Sequence, residues 1–378
     1  MNNMHSDASP PTSSQSWPAL TDLHIRLVAK CNLNCAHCYA SDWFVRSDVL
    51  DPALVCRAID EAIPLGLQKV TFTGGEPTLH RGLPEMLMHC VKREVKAKLE
   101  TNAILLRRND DEIVRLLIDH RDLIYLYISY DLAPQRGIAN DEHQAIRDLA
   151  IHLHQNGVDV RLQSSLTGIN IEHLDELLEL ARDYGIQQRI FFDHSVLGNG
   201  VSLETFDLET VLRVHDYLNS LGLNLEFELP PLITGKDSET CGWGLRRCEI
   251  MPNGDVTTCA PITFTHTRFT AGNLNQQPLA ELWRNSEYFQ GMREVSQRDF
   301  QGVCGKCVYW ESCRGSCRAY AWSHAEDWFS PYPLCQAYAA KYPEKVHDRM
   351  HDGDFSVIQS ESQIERLPRV KALATIRG

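Results

Sequence analysis

The sequence lacks a long apolar run, a basic N-terminus and any surplus of positive charge. No stretch approaches the roughly 20 apolar residues that cross a bilayer, and Met1 to Pro18 has neither the basic nor the apolar region of a signal peptide. These absences predict a cytoplasmic protein with no membrane partner. With 37 Lys and Arg against 50 Asp and Glu, the net charge of −13 leaves nothing to track a phosphate backbone. No nucleic-acid partner is expected. A length of 378 residues and a hydrophobic content of 43% allow one large domain plus a smaller one. Cysteine, by contrast, is plentiful: thirteen occur. Reducing thiol pools rule out reading them as a disulfide framework, so metal ligation becomes the first hypothesis.

Residues 1–20 are rich in Ser, Pro and Asn without apolar periodicity, the composition of a disordered tail. Beyond them, short β-branched or aromatic runs alternate with amphipathic stretches of helical length, the pattern of βα units around a parallel sheet. Six strands are predicted, near Leu23 to Ala29, Lys69 to Thr73, Ala97 to Glu100, Leu123 to Ser129, Val158 to Leu166 and Arg189 to Asp193. Helices are predicted over Asp51 to Ile63 and Ile171 to Tyr184, the latter with Asn170 as N-cap. This α/β unit is assigned to 21–235. Eight of the thirteen cysteines follow between Cys241 and Cys335, among glycines and turns, and define a second, metal-stapled domain at 236–340. The tail 341–378 begins within a predicted helix, Gln336 to Met350, which Pro343 interrupts or restarts.

Cys31, Cys35 and Cys38 stand within eight residues just after the first predicted strand. A structural zinc site and an ordinary four-iron cluster both close with four ligands, so three thiols leave one position open for a substrate or cofactor. A second element, Gly74-Gly75-Glu76-Pro77, follows the second strand; glycines there permit close backbone approach, and Glu76 can accept a charged hydrogen bond.

Together these motifs strongly resemble the radical S-adenosylmethionine (SAM) superfamily, with its C-x-x-x-C-x-aromatic-C signature on a partial (β/α)6 barrel. His37 fills the aromatic slot. The resemblance implies that Cys31, Cys35 and Cys38 bind three irons of a [4Fe-4S] cluster, and that the amino and carboxylate groups of SAM chelate the fourth. It implies SAM contacts at His37, Gly74, Gly75, Glu76 and Pro77, the last four through the family's GGEP element. Ser129 and Asp131 match an S-x-D element whose serine contacts SAM. Arg136-Gly137 resembles an R-G element whose arginine pairs with the SAM carboxylate, although Gln135 departs from the pattern; a solvated loop charge is the alternative. Thr101-Asn102 resembles T-N-G, with Ala103 in place of glycine.

The run Cys304, Cys307, Cys313, Cys317, followed by Cys335 and preceded by Cys241 and Gly254-x4-Cys259, resembles the SPASM domain. That resemblance implies two auxiliary [4Fe-4S] clusters, three clusters in all. Cys241, Cys248, Cys259 and Cys317 would hold the first, and Cys304, Cys307, Cys313 and Cys335 the second. Pro252 to Asp255 reads as a hairpin turn that brings Cys248 and Cys259 onto adjacent strands. Two structural zinc sites are the competing account. Cys56 and Cys90 fall at apolar helical positions, as core residues do.

Auxiliary clusters imply oxidative chemistry on a residue of a ribosomally made peptide or protein. The alternatives are a small-molecule enzyme acting on a haem-type tetrapyrrole and a non-enzymatic iron-sulfur electron-transfer protein, which the open three-cysteine site disfavours. Ala260 replaces the aspartate of the sulfatase-maturing branch and argues against that role. Asp193 and His194, at the end of strand six, are positions that could face a substrate. Expected partners are the peptide or protein substrate, an external electron donor of flavodoxin or ferredoxin type, and a separate leader-binding protein, since the short N-terminal tail is too small for a leader-gripping domain.

Overall fold

A computed structural model of the chain describes residues 17–351 apart from 109–111, 169, 193–197, 203–205, 228, 239–241, 243 and 266–268. Its frame is one open sheet of ten strands. The first seven are parallel: β1 (Asp22–Arg26), β2 (Lys69–Thr73), β3 (Lys96–Thr101), β4 (Ile124–Ser129), β5 (Val160–Leu166), β6 (Gln187–Phe192) and β7 (Leu225–Glu226). The six predicted strands all form. Their buried positions are the aliphatic and aromatic residues that a doubly covered parallel sheet takes in, such as Leu23, Ile25, Val70 and Phe72. The first outer helix, Pro52–Ala62, opens with Pro at its start and an Asp51 side chain accepting from Ala53 N at 2.7 Å.

The sheet does not end with the barrel. β8 (Arg247–Ile250) lies parallel to β1, and β9 (Asp255–Thr257) and β10 (Gly272–Asn273) extend it antiparallel, so the full order is β10-β9-β8-β1-β2-β3-β4-β5-β6-β7. The boundary expected at 235/236 therefore falls within a continuous sheet. Cores are shared as well. Trp283 and Phe289 from the C-terminal half belong to the same apolar cluster as Leu23 and Ile59 of the barrel, while Ile190 and Phe192 share a second cluster with Trp310, Trp328 and Tyr338. Among the described residues no helix is long and apolar enough to cross a membrane.

Two local expectations differ from the structure. The segment 171–184 forms three short pieces, Ile171–His173, Leu174–Leu177 and Glu179–Tyr184, and Asn170 caps none of them with its side chain. Its amide is used elsewhere: Oδ1 accepts from Thr167 N at 2.9 Å, and Nδ2 donates to Gln135 Oε1 at 2.5 Å and Ser165 O at 2.9 Å. In the β8–β9 hairpin only Gly254 has positive φ, at 87°, while Asn253 instead uses its Oδ1 to accept from Asp255 N at 3.2 Å. Farther on, Pro343 restarts the C-terminal helix: Pro333–Lys341 gives way to Pro343–Val346.

The loop after β1 crosses Gly74 and Gly75 with no space between. A Cβ on Gly75 would lie 2.1 Å from Lys30 O, and one on Gly74 2.7 Å from Val28 O. Two hydrogen bonds fasten the crossing, Gly75 N to Val28 O at 2.8 Å and Glu76 N to Lys30 O at 3.0 Å. Gly75→Ala is expected to destabilise the protein by about 3 kcal/mol or more, because backbone rather than a flexible side chain must move. Gly137→Ala, in open space at φ 66°, should cost only about 1 kcal/mol. Urea midpoints of the two variants test the difference; similar midpoints would refute the steric argument.

Candidate active site and cluster-binding residues

The three thiols of the first motif occupy the loop that leaves β1, at the C-terminal end of the parallel strands where α/β sites form. Cys31, Cys35 and Cys38 are all partly exposed. Burial pushes the Cys31 and Cys35 thiols up to about 11; the Arg136 guanidinium pulls Cys35 the other way. Cys31 Sγ accepts from Leu33 N at 3.4 Å and Asn102 Nδ2 at 3.8 Å, the kind of N–H to sulfur contact that favours a thiolate ligand.

Braces from three strand ends hold this loop. Gln135 O accepts from Ala36 N at 3.0 Å, and the Gln135 amide donates to His37 Nδ1 at 3.0 Å and Ser165 O at 3.0 Å. The other ring nitrogen of His37, Nε2, lies 3.5 Å from Asp131 Oδ2, and Asp131 Oδ1 accepts from Ser165 N at 2.7 Å. His37 is thus pinned between Asp131 and Gln135. From the far side, Asn199 N donates to Cys38 O at 3.0 Å and its Nδ2 to Cys35 O at 2.9 Å. A Cβ at Gly198 would sit 2.5 Å from Cys38 O. Gln135, Asn170 and Asn199 were not among the sequence-derived candidates. The departure of Gln135 from the family pattern was a signal for the first; nothing in the sequence pointed to the others.

Glu76 is 1% exposed. Its Oε1 accepts from Thr78 N at 3.0 Å, Thr78 Oγ1 at 2.6 Å and Thr101 Oγ1 at 2.6 Å, and Oε2 accepts from Asn102 N at 2.8 Å. Burial raises its carboxyl pKa despite these donors. These four hydrogen bonds tie the end of β2 to the end of β3. Asn102 in turn receives Arg136: Nη2 donates to Asn102 O at 2.8 Å. Next to it, Ala103 takes φ 63°, the left-handed conformation that glycine adopts most readily. The strain of about 1–2 kcal/mol is offset in large part by burying its methyl, worth about 0.8 kcal/mol.

Arg136 is not a solvated charge. It is 1% exposed, and its Nε and Nη1 are buried without a partner. Three idle N–H donors, one on Nε and two on Nη1, on a buried cation beside the cysteine loop are a receptor for an anion such as a carboxylate. The Ser129 hydroxyl, half-buried at the end of β4, also has no hydrogen bond among the described residues.

In the C-terminal half, Cys304, Cys307, Cys313 and Cys335 ring one apolar cavity with Trp310 and Tyr332, of about 310 Å³ including its open mouth. Among the described residues no three such groups close around a single ion. Burial pushes Cys307 up to about 11 and Cys313 to about 12, and raises Cys304 and Cys335. Such thiols ligate only when a metal replaces the proton. The other four are arranged differently. Cys241 lies outside the described residues, as do Asp193 and His194. Cys259 and Cys317 immediately precede the helices Ala260–Thr265 and Arg318–Ala325, which pack on each other. Cys248, on β8 opposite Leu23, is 0% exposed among Leu23, Trp283 and Phe289, and burial pushes its pKa far up. Side chains alternate along a strand. Glu249 turns to the opposite face, where its Oε2 accepts from Ala260 N at 2.6 Å beside Cys259. The hairpin does bring the two strands together, yet β9 ends at Thr257, short of Cys259, which packs against a different apolar cluster from Cys248. Cys56 and Cys90 sit on packed helices as expected, Cys90 fully buried.

A three-thiol loop with an anion receptor at the barrel mouth, followed by a four-thiol cavity, is the donor set of an iron-sulfur enzyme that binds a carboxylate-bearing cofactor. Matches to known proteins agree. The radical SAM superfamily model matches residues 25–208, and the iron-sulfur cluster-binding SPASM domain matches 241–308. The chain is 30% identical to mycofactocin maturase MftC of Mycobacterium tuberculosis over 332 residues, 82% of this chain and 81% of that one. It is 23% identical to the AdoMet-dependent heme synthase of Nitratidesulfovibrio vulgaris over 362 residues, 86% and 95% of the two chains. In fold it is similar to Streptococcus suis SuiB bound to precursor peptide SuiA, with a TM-score of 0.67, 19% identity, and coverage of 85% of this chain and 76% of that one. This protein therefore belongs to the radical SAM superfamily, and its two domains are those that hold SAM and [4Fe-4S] clusters.

Arg136→Leu is expected to weaken SAM binding by about 1.5–3 kcal/mol, roughly 10- to 150-fold, with iron content unchanged. Equilibrium dialysis on reconstituted protein measures it. Parent-like affinity would show that the idle Nε and Nη1 donors do not meet SAM.

Proposed function

We propose that this radical SAM enzyme oxidatively modifies a residue of a ribosomally made peptide or protein. The observation that carries the reading is 30% identity to a maturase over 332 residues spanning both the barrel and the cysteine-rich domain. The alternative is a tetrapyrrole substrate, favoured by similarity along 95% of a heme synthase.

In this reading Cys31, Cys35 and Cys38 hold the SAM cluster, and Cys304, Cys307, Cys313 and Cys335 the second auxiliary cluster. Cys259 and Cys317, with Cys241, hold the first; the burial of Cys248 supports a core role for it instead. A [4Fe-4S] cluster with an open iron, when bound, supplies the electron that cleaves SAM to methionine and a 5′-deoxyadenosyl radical. The chain's own residues do the positioning. Arg136 receives the methionine carboxylate, and Glu76 keeps Asn102 where it orients both Arg136 and the Cys31 sulfur. Asp131 and Gln135 fix the ring of His37 and with it the loop between Cys35 and Cys38, and Ser129 offers its free hydroxyl to the cofactor. The SAM contacts assigned to Gly74, Gly75 and Pro77 are made by the backbone of the glycine crossing. Electrons come from a flavodoxin- or ferredoxin-type donor in the cytoplasm, and a separate small protein presents the leader of the substrate.

Anaerobic reconstitution should give about twelve irons per chain, and joint replacement of Cys31, Cys35 and Cys38 by alanine about eight, with no 5′-deoxyadenosine released. Cys248→Val should leave the iron count as it is. Two zinc ions per chain in the triple variant would overturn the auxiliary-cluster reading. For the substrate, a mass change in a precursor peptide encoded beside this gene is the expected outcome; turnover of a tetrapyrrole with the peptide untouched would favour the alternative.

A further inference from the structure

Arg318 opens the helix Arg318–Ala325 and is only 2% exposed. A guanidinium taken out of water is costly unless opposite charge compensates. Its Nη1 donates to Trp328 O at 3.0 Å and Ser330 O at 2.7 Å, its Nη2 donates to Gly315 O, and the ring of Phe300 lies 5.1 Å from its central carbon. These partners are neutral: they orient the group without cancelling its charge. Nε is buried with no partner, and no carboxylate among the described residues pairs with the side chain. The guanidinium adjoins the four-thiol cavity through Gly315, whose carbonyl its Nη2 holds and which lines that cavity with Cys304, Cys335 and Tyr332. The loop makes space for it: a Cβ at Gly315 would come within 3.0 Å of the guanidinium.

We propose that Arg318 is the built-in counter-charge of the second auxiliary cluster and raises its reduction potential. The proposal rests on the assignment of Cys304, Cys307, Cys313 and Cys335 to that cluster. Four thiolates make such a cluster anionic, and one-electron reduction adds one more negative charge. A fixed cation buried beside that low-dielectric cavity stabilises the reduced form more than the oxidised one. The guanidinium stays protonated throughout, so it exchanges no proton when the cluster takes up its electron.

The test is a potentiometric titration of anaerobically reconstituted protein, with reduced clusters followed by electron paramagnetic resonance. A Cys31→Ala, Cys35→Ala, Cys38→Ala background removes the SAM cluster's signal, and the second auxiliary signal is identified by its loss in Cys335→Ala. Arg318→Gln is expected to shift that midpoint to lower potential, while Arg318→Lys stays near the parent. Arg314→Gln is the control. It removes a half-buried cation of the same loop that lies over Trp310 and donates to Val295 O at 3.0 Å, and it should shift the midpoint less. An unmoved midpoint in Arg318→Gln at full iron content overturns the proposal, and so does an equal shift in Arg314→Gln. If the glutamine variant loses this cluster, the lysine variant decides: a parent-like midpoint supports the counter-charge, and a lowered one overturns it. Zinc in the cavity of the parent also ends the proposal, but through the ligand assignment, which the metal analysis reports separately.

Discussion

The contact on which the site depends is the crossing of two backbones, that of Gly74 and Gly75 over that of Val28 to Lys30. At 2.1 Å for a would-be Cβ there is no room for any other residue at Gly75. The crossing sets where the cysteine loop departs from β1, and its next residue, Glu76, sends a carboxylate to the end of β3. From there the order passes through Asn102 to both Arg136 and Cys31. Burying this carboxylate is costly, and four donors offset the cost. Close packing of small residues and one saturated acid together fix a cation and a thiol relative to each other.

A second buried charge joins the two halves. Arg26 Nε meets Glu249 Oε1 at 2.8 Å, and Arg26 Nη2 donates to the Tyr39 hydroxyl at 2.6 Å. Tyr39 follows Cys38, and Glu249 accepts from Ala260, which follows Cys259. One ion pair therefore spans from the SAM-cluster loop to the loop of an auxiliary thiol, with burial pushing the Tyr39 hydroxyl up to about 12. Such pairs add little net stability but are costly to break singly, which suits a spacer whose length matters.

Much of this was legible in the sequence because the signals were local. Each of the six barrel strands carries its own run of buried apolar residues, and the cysteine spacings and Gly74-Gly75-Glu76 are contiguous. What could not be read depends on partners distant in the chain. The pairing of β8 with β1 is between short segments far apart, so neither announces the other. Gln135 looked like a departure from a motif and turns out to brace His37 and Ala36. Arg136 offered two readings until its burial separated them. Asn170 had the composition of a helix cap, yet tertiary contacts with Gln135 and Ser165 claimed its amide.

Arg26 and Glu249 are 223 positions apart in the chain, yet their strands are neighbours. During synthesis the outer edge of β1 stays bare until β8 has left the ribosome, and bare parallel edges invite pairing with other chains. The nascent barrel is therefore exposed for the longest part of its own translation. A gene fragment ending at the apparent domain boundary would keep that edge permanently open. β8 of the auxiliary domain is the strand that covers the outer edge of β1, so that edge of the barrel sheet is closed only by chain that lies beyond the barrel itself.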